Sequence, residues 1–167
     1  MTVIAVTGHM DLTEASVRPV REALRDALRP YERIGLTGLS CIAQGADSLF
    51  AEEVLAVGGR LVAVIPAQDY RQRHVSTDHA ETFDRLLAAA AEVLVLEYGR
   101  ADARAYEEAN RVLLDRADRL VAVWDGQSRP ERGGTAATVA EARRAGLPVD
   151  VVWPEGAQRE GSRPPGR

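Results

Sequence analysis

Cysteine is nearly absent: Cys41 is the only one in 167 residues, which excludes an intrachain disulfide and any cysteine-based zinc cluster. Its strand-like neighbours mark it as a small buried hydrophobe rather than a nucleophile. Long apolar runs are missing too. None approaches the roughly 20 residues of a membrane span, so no membrane partner is expected. The chain opens on a strand-like run rather than a signal peptide, which leads to an expected cytoplasmic location. Positive charge is in deficit, with 21 Lys and Arg against 25 Asp and Glu, a net charge of −4 and a pI near 5.4. No global basic field therefore recruits nucleic acid, although the arginines still allow a local patch.

Several motifs are absent as well. His74 and His79 lack a metal-binding spacing and no carboxylate completes a triad, so no metal site is expected. There is no Gly-x-Ser-x-Gly elbow and no Walker lysine motif. After the first strand the chain reads Gly8-His9-Met10-Asp11-Leu12-Thr13, where a dinucleotide fingerprint needs glycine at the third and sixth places. The second strand also ends without an acid for a ribose, which argues against an NAD-dependent dehydrogenase and any resident cofactor.

What the chain does contain is an alternation of short β-prone apolar runs with helical periods. Strands are expected over 2–7, 33–39, 60–65, 92–97, 119–124 and 149–153. Five helices fall between them: from Thr13 or Ser16 to about Arg29, across Leu49 to Leu55, from Thr77 or Asp78 to Ala90, over 102–116, and over 136–145. Residues 67–78 show no period and read as a loop carrying Tyr70, Arg71, Arg73 and His74, either a lid over an anion or a charged surface loop. No internal repeat or linker interrupts the pattern. The expectation is one α/β domain over 1–154 with a doubly wound, mostly parallel six-stranded sheet, followed by a flexible tail over 155–167. Right-handed crossovers suggest the strand order 4-3-2-1-5-6, with the ligand crevice where the chain doubles back between strands 1 and 5.

Four clusters then fall at carboxyl ends of strands. They are Gly8-His9, Ser40 with Gly45-Ala46-Asp47, Asp125-Gly126, and Gly133-Gly134-Thr135. Glycines and hydroxyls at helix starts suit phosphate or carboxylate, and Thr135 can cap the last helix. His9 either meets a ligand or serves a turn. Asp47 either caps its helix or binds, and Asp125 either holds a ribose hydroxyl or orients the Gly-Gly loop. Glu107 and Asn110, one helical turn apart, face the crevice or solvent.

Taken together, Thr7-Gly8-His9-x-Asp11-Leu12, Gly45-Ala46-Asp47 with Ala51, Val64-Ile65-Pro66, Asn110, Val123-Trp124-Asp125-Gly126 and Gly133-Gly134-Thr135-Ala136 resemble the SLOG superfamily of Rossmann-like proteins. That superfamily includes YspA-like proteins, DprA, molybdenum-cofactor carriers and the LOG phosphoribohydrolases. The resemblance covers about residues 3–154 and implies a nucleotide-type small molecule as partner, held as by a sensor or carrier, and a homodimer or homotetramer. The alternative it carries is a nucleotide N-glycosidase acting on a nucleoside monophosphate. One departure bears on that choice. LOG enzymes read Pro-Gly-Gly-x-Gly-Thr-x-x-Glu, whereas here Ala136, Ala137 and Thr138 follow Thr135 and the first acid is Glu141. The carboxylate that would face oxocarbenium-like charge is therefore missing from its place.

Overall fold

The computed structural model describes residues 1–128 and 134–161. Six strands form one all-parallel sheet: β1 (Thr2–Gly8), β2 (Leu36–Ser40), β3 (Arg60–Ile65), β4 (Glu92–Val95), β5 (Arg119–Val123) and β6 (Val149–Val151). Their order is β4-β3-β2-β1-β5-β6, the order expected from the sequence. The register sets Ile4 of β1 beside Gly38 on one side and Arg119 on the other.

Both sheet faces are covered, which is why β1, β3 and β5 are largely apolar runs rather than alternating ones and β2, Leu-Thr-Gly-Leu-Ser, is buried throughout. Helices α1 (Glu14–Leu28) and α2 (Ala46–Ala56) pack over Ile4, Val6, Val121 and Val123. On the same face, α4 (Thr77–Ala89) sets Phe83 and Leu86 against Leu61, Ala63 and Ile65. The opposite face takes α5 (Ala103–Arg116) and α6 (Thr135–Arg144), whose Ala109, Leu113, Val139 and Ala142 meet Ala5, Leu39, Val62 and Ala122. A polar tie joins the first two helices: Glu53 of α2, 1% exposed, accepts from Arg25 at 2.8 Å and Arg21 at 3.2 Å. Among the described residues no helix is long and apolar enough to cross a membrane.

Two expectations differ from the structure. The stretch over 67–78 is not one loop, because α3 (Tyr70–His74) forms inside it. Tyr70 there is buried against Phe83 and supplies the apolar anchor that a period search over so short a segment misses. Its arginines serve local pairs rather than a lid: Arg71 makes a two-pronged bond to Asp84 of α4, and Arg73 lies 3.5 Å from Asp69. The second difference is the segment after β6. Instead of fraying from 155, residues 157–160 lie against the β1–α1 loop, with Thr13 N–H donating to the Gln158 carbonyl at 3.0 Å and Gln158 N–H to Ser16 Oγ at 2.8 Å. A Gly, Pro and Arg-rich composition marks a weak local preference, and long-range hydrogen bonds override it here.

Candidate functional site

The loops leaving β1, β2 and β5 meet above the carboxyl end of the sheet, and a cavity of about 240 Å³ opens among them. The first loop begins at Gly8. A Cβ there would fall 2.4 Å from Ala46 Cβ and 2.8 Å from Val123 Cβ, so no side chain fits between α2 and β5. Gly45, at φ +83°, is equally constrained, since a Cβ would stand 2.6 Å from the His9 carbonyl oxygen. Both glycines were expected to admit a ligand. They chiefly let protein segments approach one another, and of the two only Gly8 also lines the cavity.

His9 is the knot of the site. Its N–H donates to the Val123 carbonyl, and its own carbonyl accepts from Ala46 N–H, each at 3.1 Å. The ring accepts at Nε2 from Asp125 N–H at 3.1 Å and stands edge-on to Trp153, 5.6 Å between centroids. The same Nε2 lies 3.3 Å from Asp125 Oδ1, a contact that favours the protonated ring. Burial, then the charge of Arg159, hold the imidazole below its ordinary pKa against the pull of Asp125, so the neutral form is favoured. Asp125 itself stands outside the cavity lining, capping its turn by accepting from Gln127 N–H at 2.9 Å. Gly126, at φ +81°, completes that turn and is exposed.

The β2–α2 loop is built as a rigid wall. Ser40 Oγ accepts from Ile42 N–H and donates to the Asp47 carbonyl, both at 3.0 Å, and stays wholly buried behind the cavity. Ile42 sits at φ +54°, a region a β-branched residue seldom occupies, and the loop holds it there from several sides. His79 of α4 bonds the Ile42 carbonyl through Nε2 at 3.0 Å, while Ser48 Oγ donates to the Ala43 carbonyl at 2.7 Å. Ala46 is fully buried and spends its N–H on His9. Asp47 does line the cavity. Ala43 N–H lies 3.4 Å from its Oδ2 and lowers its pKa, but burial prevails and pushes the carboxyl up to about 7. Cys41 beside it is pushed well up, first by burial and then by Asp47, and remains a thiol.

Tyr70 of α3 and Tyr106 of α5 wall the same end, 6.2 Å between ring centroids. Burial raises both phenols, Tyr106 to about 12, so each keeps its proton at neutral pH. Asn110 lines the cavity as well and Glu107 does not. The opposite end is made by the start of α6. Gly134 occupies the capping position and its carbonyl accepts from both the N–H and the Oγ1 of Thr138 at 3.0 Å. Thr135 is thus the first helical residue rather than the expected cap, and Gly134, Thr135 and Ala136 line the cavity. Gly133 lies outside the described residues. Crossing from β3 to β5 spans three inter-strand gaps, about 14 Å. Sequence reasoning did not find Tyr70 as a wall residue, although its place just beyond β3 is a usable signal. It also missed Trp124, and it missed Arg159, for which no local signal exists.

No protein-family model matches the chain, and no curated protein matches it. Solved structures do resemble it. DNA processing protein A from Streptococcus pneumoniae superposes with a TM-score of 0.63 at 17% identity, covering 90% of this chain and 50% of that one. The chain therefore spans half the length of that protein. The molybdenum cofactor binding protein of the phototrophic bacterium Rippkaea orientalis gives 0.57 at 16% identity, covering 90% and 75%. The molybdenum cofactor carrier protein of Chlamydomonas reinhardtii gives 0.57 at 22% identity with the same coverage. These likenesses show the fold alone, a doubly wound α/β sheet of Rossmann-like type.

Proposed function

We propose that the crevice binds a nucleotide, or a phosphorylated compound derived from one, and holds it intact as a carrier or sensor does. The observation that carries this reading is the chemical asymmetry of one cavity. At the β3 end stand two phenols and a carboxyl, groups that hydrogen-bond and stack on a planar polar ring. At the β5 end the start of α6 offers N–H groups and the positive end of a helix dipole, which suit a phosphate. About 14 Å between strand ends suits a ligand with a base at one end and a phosphate at the other. The carrier proteins among the structural relatives are named for binding a cofactor, which agrees with retention rather than turnover.

Retention is also supported by the chain's own chemistry. Thr138 holds the place of the LOG-type glutamate and commits its hydroxyl to the Gly134 carbonyl. The test is native mass spectrometry of the protein with a panel of nucleotides, alongside an assay for released base. An intact nucleotide mass without free base is the expected result, and the same spectra report whether the chain forms the proposed homodimer or homotetramer. No retained nucleotide mass from the panel would refute the reading.

One observation favours a second reading, a nucleotide N-glycosidase. Asp47 lines the cavity with its carboxyl near pH 7, the condition for a general acid that protonates a departing base. Base release at catalytic turnover, abolished by Asp47→Asn, would select it.

A further inference from the structure

We propose that Arg159 reads the phosphate of the bound nucleotide, making the segment after β6 a wall of the site. This rests on the nucleotide reading above and extends it to a residue far outside the loops of the strand ends. The segment is fastened at several points to the β1–α1 loop. Leu12 and Arg159 form an antiparallel bridge, and Glu160 N–H donates to the Asp11 carbonyl at 2.6 Å. Ser16 Oγ both accepts from Gln158 N–H and donates to its carbonyl. This fastening delivers one side chain to the cavity: Arg159, 15% exposed, lines it together with Gly134 and Thr135.

Among the described residues that line the cavity, Arg159 is the one lysine or arginine. Asp11 Oδ1 accepts from its Nε at 2.7 Å, fixing the plane of the guanidinium. Asp125 Oδ2 is 4.0 Å from its Nη1, beyond hydrogen-bond distance, and is the looser neighbour. A phosphate monoester carries close to two negative charges at neutral pH, whereas a helix start offers about half of one positive charge. A guanidinium lining the same cavity adds a full positive charge and a forked donor geometry that matches two phosphate oxygens. In the free protein Asp11 and Asp125 are among the groups that hold the cation ready, and of these two a dianion competes better with the carboxylate at 4.0 Å.

The experiment is calorimetric titration of adenosine, guanosine, cytidine and uridine 5′-monophosphates and the four parent nucleosides. Each goes into the full chain as wild type, Arg159→Gln, Arg159→Lys and Asp11→Asn. The expected result is that Arg159→Gln weakens the best monophosphate by about tenfold or more while its nucleoside changes by less than about twofold, with lysine intermediate. Asp11→Asn loosens the same segment yet keeps the cation, so monophosphate affinity holds or rises. Equal losses on nucleotide and nucleoside would make Arg159 a holder of the wall only and overturn the proposal. An unchanged monophosphate affinity would overturn it too. A wild-type chain that binds none of the eight compounds refutes the nucleotide reading itself, and this proposal with it.

Discussion

Replacing Asp47 by asparagine should stabilise the protein in a way that grows with pH. In the folded chain the carboxyl titrates near 7, against 3.8 for the free group. The folded state therefore binds the proton more tightly than the unfolded state does. Stability from this group is complete below the unfolded value and is lost as pH rises from 3.8 towards 7, levelling above it. From pH 5 to pH 8 the wild type passes through about two of those pH units, worth up to about 2.7 kcal/mol. Asp47 is half-buried and borders a cavity that admits water, so about 1–2 kcal/mol is the working expectation. Asparagine keeps a carbonyl oxygen for the Ala43 N–H and carries no charge, so its own stability should not follow this curve. The assay is urea unfolding of both proteins at pH 5 and pH 8. What matters is the difference between proteins at one pH compared with that at the other, because titrations common to both cancel. An advantage for Asp47→Asn that is the same at both values would refute the reasoning.

Two further expectations come from the same knot of loops. Gly8→Ala places a methyl where Ala46 and Val123 already press, and should cost about 1–3 kcal/mol, read as a lower urea midpoint. Wild-type stability at that position would show that the β1–α2 contact gives way easily. His9, held below its ordinary pKa, runs opposite to Asp47. Its unfolded form takes up a proton first, so stability falls as pH drops below 6.5 towards the folded value. Urea titration of His9→Gln in the Asp47→Asn background should flatten that acid arm, and an unchanged arm would assign it to other groups.

Much of the fold was legible because it depends on neighbours in sequence. The buried strands announced themselves as apolar runs, and α2, α5 and α6 showed their periods. Right-handed crossovers then narrowed the strand order, and the reversal between β1 and β5 located the crevice. Local chemistry could not say what each glycine or acid does there. Gly8, Gly45, Ser40 and Ala46 carry the composition of an anion loop, yet their surroundings occupy them with packing and internal hydrogen bonds. Asp125 was weighed between a ribose and a loop, and the structure shows it bonded to His9, 116 positions away.

By itself the sequence determined the alternation of strands and helices, the parallel sheet and the end of it where loops gather. Those follow from periodicity and chirality, which act over a few residues at a time. Tertiary structure alone decided that Ile42 is held at positive φ, that Tyr70 and Tyr106 share a wall, and that Arg159 reaches the cavity. Each depends on partners brought together by the folded sheet, as Asp11 and Arg159 are across 148 positions. Hydrogen bonds and burial reward such pairs only once loop closure has brought them together, so no short window of sequence contains them.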